Sequence, residues 1–533
     1  MKRGGKRATP VEILLEIGLL LCSVVLFALS FPSFVSDWGW FPLGFAALVP
    51  MFAVIHRAGW VRIFFYGAFF GFLSYALFNY WLVAFHPLAI FIVPVIYALY
   101  FLLLFPLLKA ADSLMPRYGY LAQAVIWVGY EYLRTQGFLG YSYGILGYTQ
   151  YMFLPFARFS ALTGIWGVTF LTVLPSAFLG NALKEGFARA KGFLREHRWD
   201  AAAYGAVFAA VLVYGFTVRA DLERAEPWRT ALIQHNVDPW KHDYEDSLDI
   251  LVDLSVQAEE KDPDIVVWSE TAFVPAIEYH TRHRSSREYY ELISRLMDFL
   301  GEREVPYVLG NDDGQLERVG GKGRIDYNAA LLFEEGELVD RYWKTHLVPF
   351  TEHFPFEKRF PRIHSALINA DTHFWEKGEE YTVFEAGGVK FSTPICFEDT
   401  FGYLSRNFIL SGAEVIVNLT NDSWSFSVAA EMQHMAMSRF RAMENRRSVV
   451  RSTNGGITCI IDPNGRIVSS IDPFIEGYLV DDTPVYTATT TLYTRWGDWF
   501  GVVMTVGAGL FLLLGVLWKL LARRRRIDNG PQV

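Results

Sequence analysis

The sequence predicts a polytopic α-helical membrane bundle of about eight spans that carries one α/β domain. Of its 533 residues, 52% are hydrophobic and only 20% are charged, and the mean hydropathy is +0.20, which is too apolar for a soluble enzyme of this length. The charge is also divided, since residues 1–200 carry a net +7, residues 201–497 a net −18 and residues 498–533 a net +3. A basic, apolar part therefore encloses an acidic, more polar part, and this acidic balance argues against a nucleic-acid partner.

Apolar runs of the length that crosses a bilayer, roughly 17 to 25 residues, define the bundle. Each is expected to be helical, because lipid offers the backbone no hydrogen-bond partner. The runs are 11–30, 39–55, 63–85, 88–109, 119–133, 161–183, 201–217 and 499–521. We therefore expect a bundle of seven spans in residues 1–219, and a final span with a basic tail in residues 498–533.

The charges of the connecting loops predict the orientation. Eighteen Lys and Arg residues lie on one side of the predicted spans, whereas the short loops on the other side hold only Arg134 and Arg158. The positive-inside rule then places both termini in the cytoplasm and residues 220–497 on the far side of the membrane. The first span lacks an A-x-A cleavage pattern and is expected to stay as an anchor. The prediction is a multi-pass protein of a bacterial inner membrane with a periplasmic domain.

Residues 220–497 have the alternating pattern typical of an α/β domain. Helical patterns lie near 243–260, 286–300 and 429–446, and between them lie β-rich runs such as 230–236, 264–268, 306–309, 327–333 and 414–419. About 275 residues are ample for one hydrophobic core.

Three polar residues follow β-like runs in this domain, namely Glu270, Lys344 and Cys396. In open α/β architectures the ends of strands are where side chains converge into a site. A thiol can attack a carbonyl carbon, a carboxylate can take the thiol proton, and an ammonium can stabilise the developing oxyanion. The three residues therefore predict a site for acyl transfer.

Longer stretches around these residues carry a resemblance to a known family. They are Val-Trp-Ser-Glu-Thr-Ala at 267–272, Tyr-Trp-Lys-Thr-His-Leu-Val-Pro-Phe-Thr-Glu-His-Phe-Pro at 342–355, Pro-Ile-Cys-Phe-Glu-Asp at 394–399, and the stretches 418–424, 439–447 and 451–458, with 131–134, 146–150 and 164–171 in the membrane part. The domain resembles the carbon–nitrogen hydrolase (nitrilase) superfamily. The whole chain resembles its multi-pass membrane members, the bacterial apolipoprotein N-acyltransferases.

The resemblance implies a fold and a mechanism. The domain would be an α-β-β-α sandwich, and Cys396 would take an acyl chain from a phospholipid as a thioester. Glu270 would be the general base, and Lys344 would stabilise the oxyanion. Glu352 would support the lysine, and Glu398, beside the nucleophile, would shape the same pocket.

The resemblance also implies the partners. The acyl acceptor would be the α-amino group of the N-terminal S-diacylglyceryl-cysteine of a lipoprotein, and no metal or organic cofactor is expected. Trp240, Phe397 and Trp424 are candidate substrate-binding residues, although Phe397 stands where many family members have tyrosine. His434 is expected to pack on a helix rather than to bind a metal.

Two other functions fit parts of the sequence. A membrane-anchored amidase of the nitrilase type would use the same three residues but give the acyl group to water. A transporter with an accessory domain is the second alternative, and it is weakened because the spans contain few ionisable residues that could mark an ion path. Cys396 could also be a buried packing residue, as is expected of Cys22 and Cys459.

Overall fold

The structure is a computed structural model that describes residues 8–85, 89–184, 186–238, 244–316, 324–368 and 373–528. It divides into two compact units. The first consists of Met1–Val218 and Asp498–Val533, and the second consists of Arg219–Gly497.

The first unit is helical. Its helices before the second unit are α1 (Pro10–Ser30), α2 (Val49–Arg57), α3 (Trp60–Phe78), α4 (Leu82–Phe85), α5 (Ala89–Leu114), α6 (Gly119–Leu133), α7 (Leu154–Ala157), α8 (Ser160–Thr163), α9 (Ile165–Leu183), α10 (Phe187–Glu196) and α11 (Arg198–Thr217). Two 3₁₀ turns, Phe41–Phe45 and Leu146–Met152, lie between them.

The second unit mixes helices with strands. Its helices are α12 (Tyr244–Glu259), α13 (Ile277–His283), α14 (Arg287–Gly301), α15 (Pro361–Ile368), α16 (Gly402–Leu410), α17 (Val428–Asn445) and α18 (Leu492–Trp496), and α19 (Trp499–Asp528) then returns the chain to the first unit. Its strands are β1 (Glu226–Gln234), β2 (Ile265–Trp268), β3 (Tyr307–Leu316), β4 (Arg324–Glu334), β5 (Glu337–Trp343), β6 (Val383–Ala386), β7 (Val389–Ser392), β8 (Val415–Asn421), β9 (Ser448–Asn454), β10 (Thr458–Ile461), β11 (Ile467–Ile471) and β12 (Gly477–Val485).

Six helices among the described residues are long and apolar enough to cross a membrane, namely α1, α3, α5, α9, α11 and α19. They coincide with six of the eight predicted spans. The segment 39–55 is instead divided between a 3₁₀ turn and α2, each of which has a proline in its first turn, where proline starts a helix but cannot continue one. Helix α6 has 15 residues and is roughly 22 Å long. The predicted multi-pass helical unit is confirmed.

Small residues allow α3 and α5 to approach closely. A Cβ atom at Gly67 would lie 2.2 Å from the carbonyl oxygen of Phe101, and one at Gly71 would lie 2.5 Å from that of Tyr97. Beside this contact the rings of Tyr75 and Tyr97 stack with centroids 3.3 Å apart. Close backbone approach through glycine is typical of helix pairs in membranes, where packing rather than the hydrophobic effect holds helices together.

The second unit is a sandwich of two six-stranded sheets. The strand orders are β12-β1-β2-β3-β4-β5 and β11-β10-β9-β8-β7-β6, with parallel pairing at the centre of each sheet and antiparallel pairing towards the edges. The buried faces of α12 and α14 pack on the first sheet, and α16 and α17 pack on the second. Between the sheets, the hydroxyl of Ser452 donates to the carbonyl of Val267 at 2.9 Å. This arrangement is the predicted α-β-β-α sandwich.

Candidate active site

Cys396 lies at a sharp turn that follows β7 and opens the 3₁₀ turn Cys396–Thr400. Its φ of 49° is in the left-handed region, which a residue with a Cβ atom seldom adopts. The preceding backbone is fixed, because Ile395 forms a β-bridge with Leu419 of β8. Backbone held in a sparsely populated conformation is concentrated at functional sites. The turn thus holds a half-buried thiol in a defined position.

Glu270 follows the end of β2 and is almost fully buried. One carboxylate oxygen accepts hydrogen bonds from the Asn328 amide at 2.8 Å and from the Lys344 ammonium at 3.2 Å. The other accepts the backbone N–H of Asn421 at 2.9 Å. A buried carboxylate is stable only with such partners, and these three donors fix both of its oxygens.

Lys344 comes directly after β5, and its side chain is fully buried. The ammonium lies 3.2 Å from Glu270 and 2.8 Å from Glu352, so that two carboxylates face one cation. Glu352 is itself held by the backbone N–H of Val348 at 2.8 Å. Burial alone would lower the pKa of Lys344, but the two carboxylates outweigh this effect and raise it. The two carboxylates therefore favour the charged form of Lys344.

The charges of these groups act on the Cys396 thiol. Burial raises the pKa of the thiol well above its ordinary value, and Glu270 raises it further, whereas Lys344 opposes this rise. The resting thiol is therefore protonated at neutral pH, and a base must remove the proton before the sulfur can attack. Glu270, Lys344, Glu352 and Cys396 are the residues to which the sequence resemblance gives catalytic or supporting roles, and we refer to them as the catalytic cluster.

Glu398 has a different environment, although only one residue separates it from Cys396. It is fully buried and accepts hydrogen bonds from the hydroxyl of Tyr342 at 2.8 Å, from the backbone N–H groups of Thr345 and His346 at 2.8 and 2.9 Å, and from that of Ile395 at 2.8 Å. Burial raises the pKa of its carboxyl group. Thr345 and His346 belong to the turn after Lys344, and Ile395 belongs to the turn that carries Cys396. Glu398 therefore joins these two turns.

The three predicted substrate-binding residues have different outcomes. Trp240 lies outside the described residues. Phe397 is buried, and its ring packs edge-on against Phe401 with centroids 5.0 Å apart. Trp424 is half-buried, and its indole N–H donates to the carbonyl of Asn421 at 3.1 Å, next to the backbone N–H that contacts Glu270.

Sequence reasoning missed the groups that hold the base. Asn328 and the backbone of Asn421 both donate to Glu270 but lie 58 and 151 residues from it along the chain. Sequence reasoning also missed the partners of His434. This residue is buried on α17, as expected, but its ring contacts two aspartates. The available signal was that Asn421 lies within 418–424, one of the stretches that carry the family resemblance.

Two other polar features of this unit lie away from the catalytic cluster. A cavity of about 1020 Å³ is lined by residues that include Tyr327, Arg341 and Trp343, and none of Glu270, Lys344 and Cys396 lines it.

The second feature is a group that could hold a metal ion by its spacing, formed by Asp312, Asp326 and His373. Arg324 already pairs with both aspartates, and the indole N–H of Trp375 donates to Asp312 at 2.8 Å. These carboxylates are therefore compensated by protein groups.

Two family models match this chain. The carbon–nitrogen hydrolase family model matches residues 229–491, and the model of the apolipoprotein N-acyltransferase N-terminal domain matches residues 23–178. The second unit is thus a carbon–nitrogen hydrolase domain.

Two full-length relatives identify the family. Apolipoprotein N-acyltransferase 1 of Treponema denticola is 42% identical over 96% of this chain and 98% of its own, and its namesake from Treponema pallidum is 40% identical over 96% and 97%. The chain belongs to the apolipoprotein N-acyltransferase family, as the sequence resemblance predicted. Among solved structures, an amidase of the nitrilase superfamily from Nesterenkonia AN1 is 22% identical, with a TM-score of 0.36 over 49% of this chain and 92% of its own.

Proposed function

We propose that this acyltransferase moves an acyl chain from a phospholipid to the α-amino group of a diacylglyceryl-modified apolipoprotein, through a thioester on Cys396. Family membership supports the reaction class. The observation that carries the mechanism is the buried Lys344 ammonium, which lies between Glu270 and Glu352 and whose charge acts on the thiol of Cys396.

In the first half-reaction Glu270 takes the thiol proton as the sulfur attacks the ester carbonyl carbon of a phospholipid. The C–S bond forms, and the negative charge that develops on the carbonyl oxygen is stabilised by Lys344, together with a backbone N–H near Cys396. The C–O bond then breaks, and the departing alkoxide receives the proton from Glu270. The products are an acyl-thioester and a lysophospholipid.

In the second half-reaction the α-amino group of the lipoprotein attacks the thioester carbonyl carbon. Glu270 takes a proton from the amine, the C–N bond forms and the C–S bond breaks, and the proton returns to the sulfur. An α-amino group has a reference pKa near 7.7–8.0, so that a useful fraction is neutral and nucleophilic near neutral pH. The two half-reactions make a ping-pong cycle that calls for no cofactor.

The remaining candidate residues act around this chemistry. Glu352 orients the Lys344 ammonium and shares its charge, and Glu398 positions the two turns that bear Lys344 and Cys396. Phe397 and Trp424 are proposed to contact the substrate. Trp240 is proposed as a third substrate contact on sequence grounds alone.

The substrates account for the membrane unit. Donor and acceptor are both lipids, and a site held at the bilayer surface would meet them by lateral diffusion. From the loop charges we place the protein in the bacterial inner membrane with both termini in the cytoplasm and the catalytic unit, residues 220–497, in the periplasm.

Family membership does not favour the alternative, a membrane-anchored amidase that releases the acyl group to water. The two functions differ in the acceptor alone. A transferase makes N-acylated lipopeptide and little free fatty acid, whereas the amidase releases fatty acid at the same rate with or without lipopeptide.

The most direct test incubates the purified protein with phospholipid alone and searches Cys396 for an acyl group by mass spectrometry. We expect one acyl chain as a thioester on Cys396 and its transfer to a diacylated lipopeptide added later. Cys396→Ala should abolish both, while Cys459→Ala, at a buried cysteine of β10, should retain both. Acyl transfer that persists in Cys396→Ala would overturn the mechanism.

A further inference from the structure

A second group of buried charges lies in the same unit, and we refer to it as the charge network. Each of its four members is at most 4% exposed, and they are Asp399, Asp422, His434 and Arg451. The imidazole Nε2 of His434 lies 2.9 Å from Asp399, and its Nδ1 lies 3.2 Å from Asp422. Arg451 contacts Asp399 through one guanidinium nitrogen and lies 3.7 Å from Asp422 through another.

The two aspartates belong to the two segments that carry the chemistry. Asp399 lies in the 3₁₀ turn that Cys396 opens. Asp422 directly follows Asn421, whose backbone N–H donates to Glu270. Two buried carboxylates would repel each other, so cations between them stabilise the contact of the two segments.

His434 and Arg451 supply these cations from a helix and a strand of the sandwich. His434 lies on α17 and Arg451 on β9, and both elements are well packed. Burial alone would lower the pKa of His434, but Asp399 and Asp422 outweigh it and raise the pKa to about 9. Both ring nitrogens are then protonated, and each can donate to one aspartate.

The groups facing His434 form a balanced set. Asp399 and Asp422 carry two negative charges, and His434 and Arg451 carry two positive charges. A third acid, Glu431 of α17, accepts a hydrogen bond from the hydroxyl of Ser425. Burial and the neighbouring Asp422 raise the pKa of Glu431 well above its ordinary value, which favours its neutral form.

We propose that His434 and Arg451 are positioning residues for acyl transfer, which fasten the turn that carries Cys396 to the loop that orients Glu270. The proposal rests on Cys396 being the nucleophile and Glu270 its base. Neither positioning residue touches the reacting atoms. Their effect is to keep the thiol and the carboxylate at a fixed separation and to cancel the charge of Asp422, which otherwise raises the pKa of the Cys396 thiol.

The primary experiment compares His434→Gln with the wild type in the thioester assay across a pH series. Glutamine keeps one hydrogen bond but lacks the positive charge. We expect the rate constant of thioester formation to fall about 10- to 100-fold, because misplacing reacting groups by about 1 Å slows a reaction by up to this factor. The KM for phospholipid should change little. The acidic limb of the pH profile should move upward by roughly half to one pH unit, because negative charge near the thiol and its base is left unbalanced.

The charge interpretation is tested by a second substitution. In the His434→Gln background, Asp422→Asn removes one negative charge, and the acidic limb should return to its wild-type position. His280→Gln serves as the matched control, since His280 of α13 is another buried histidine of this unit, and its ring bonds only to Ser285 in the loop after that helix among the described contacts. It should alter neither the rate nor the pH profile.

The outcomes separate this proposal from the proposed function. A wild-type protein that forms no thioester refutes the mechanism itself, whatever the variants do. A folded His434→Gln protein with the wild-type rate and pH profile refutes the positioning role alone. A pH profile that shifts in His434→Gln and stays shifted after Asp422→Asn is added refutes it too. If His434→Gln does not fold, Arg451→Lys keeps the charge but loses one of two contacts, and it should slow thioester formation without moving the profile. An unchanged rate in Arg451→Lys also refutes the proposal.

Discussion

The catalytic cluster and the charge network are both buried sets of acids and bases in one sandwich, but their charges are balanced differently. In the charge network two carboxylates face two cations, and every charge is matched. In the catalytic cluster two carboxylates share the single ammonium of Lys344, and the fourth member is a neutral thiol. The charge network has as many cations as carboxylates, whereas the catalytic cluster has one carboxylate more than it has cations.

The difference shows how a buried site can be both rigid and reactive. Glu270 is fixed by an amide and a backbone N–H as well as by the lysine, so its position does not depend on its charge alone. In the proposed mechanism, transfer of the thiol proton to Glu270 leaves the total charge of the cluster the same, and no charge needs to enter or leave a region of low dielectric constant. The predictions below remove one component at a time.

The largest effect is expected for Lys344→Met, which removes the only cation of the catalytic cluster. Loss of one oxyanion donor costs about 3–4 kcal/mol of transition-state stabilisation, and here two buried carboxylates also lose their partner. We expect thioester formation to fall by about 1,000-fold or more in single-turnover assays. Lys390→Met, at an exposed position of β7, is the matched control and should retain the wild-type rate. A loss of less than 10-fold in Lys344→Met would contradict the assigned role.

A smaller effect is expected for Glu352→Gln, which leaves Lys344 paired with Glu270 alone. The amide can still accept a hydrogen bond from the ammonium, but its NH₂ group would face the N–H of Val348. A hydrogen bond to a charged group is worth about 1.5–3 kcal/mol, so we expect roughly a 10- to 100-fold slower thioester formation. The same assay with Glu357→Gln, an exposed glutamate a few residues further on, should show no change. Equal rates in Glu352→Gln and the wild type would show that the second carboxylate is dispensable.

Glu398→Gln should affect stability more than chemistry, because Glu398 accepts from groups on two turns and touches no reacting atom. Glutamine has one acceptor oxygen, and its NH₂ group would face either the N–H of Ile395 or those of Thr345 and His346. Leaving a buried donor unpaired costs about 1–3 kcal/mol. We expect a lower thermal midpoint in detergent, whereas Glu385→Gln, at an exposed position of β6, should leave the midpoint unchanged. An unaltered midpoint in Glu398→Gln would argue against the bridging role.

The sequence predicted where the candidate catalytic residues lie but not which groups support them. The candidate residues were expected at strand ends, and the structure places Glu270 near the end of β2, Lys344 directly after β5 and Cys396 shortly after β7. This part could be predicted because the end of a strand is visible in the local hydrophobic pattern. The partners of Glu270 could not be predicted in this way, since the contact with Asn421 joins two segments 151 residues apart.

The same distinction applies to the membrane unit and to His434. Six long apolar runs form the expected helices, but 39–55 does not, because Pro42 and Pro50 start separate short helices within it. His434 was expected to pack on a helix, which it does. Its two aspartate partners come from other segments and are brought together only by the fold.

The last prediction concerns the pH dependence of stability through His434. Its pKa in the folded protein is raised from 6.5 to about 9, so folding favours the protonated ring. The resulting stabilisation is complete below about pH 6.5 and is lost as the pH rises through about 9. The difference in thermal midpoint between the wild type and His434→Gln should therefore shrink as the pH is raised over this range. His235→Gln is the matched control, because burial lowers the pKa of His235 to about 4 and keeps it neutral throughout. If the difference in thermal midpoint between the wild type and His434→Gln is as constant with pH as that for His235→Gln, His434 is neutral in the folded protein. The charge network would then hold more carboxylates than cations, like the catalytic cluster.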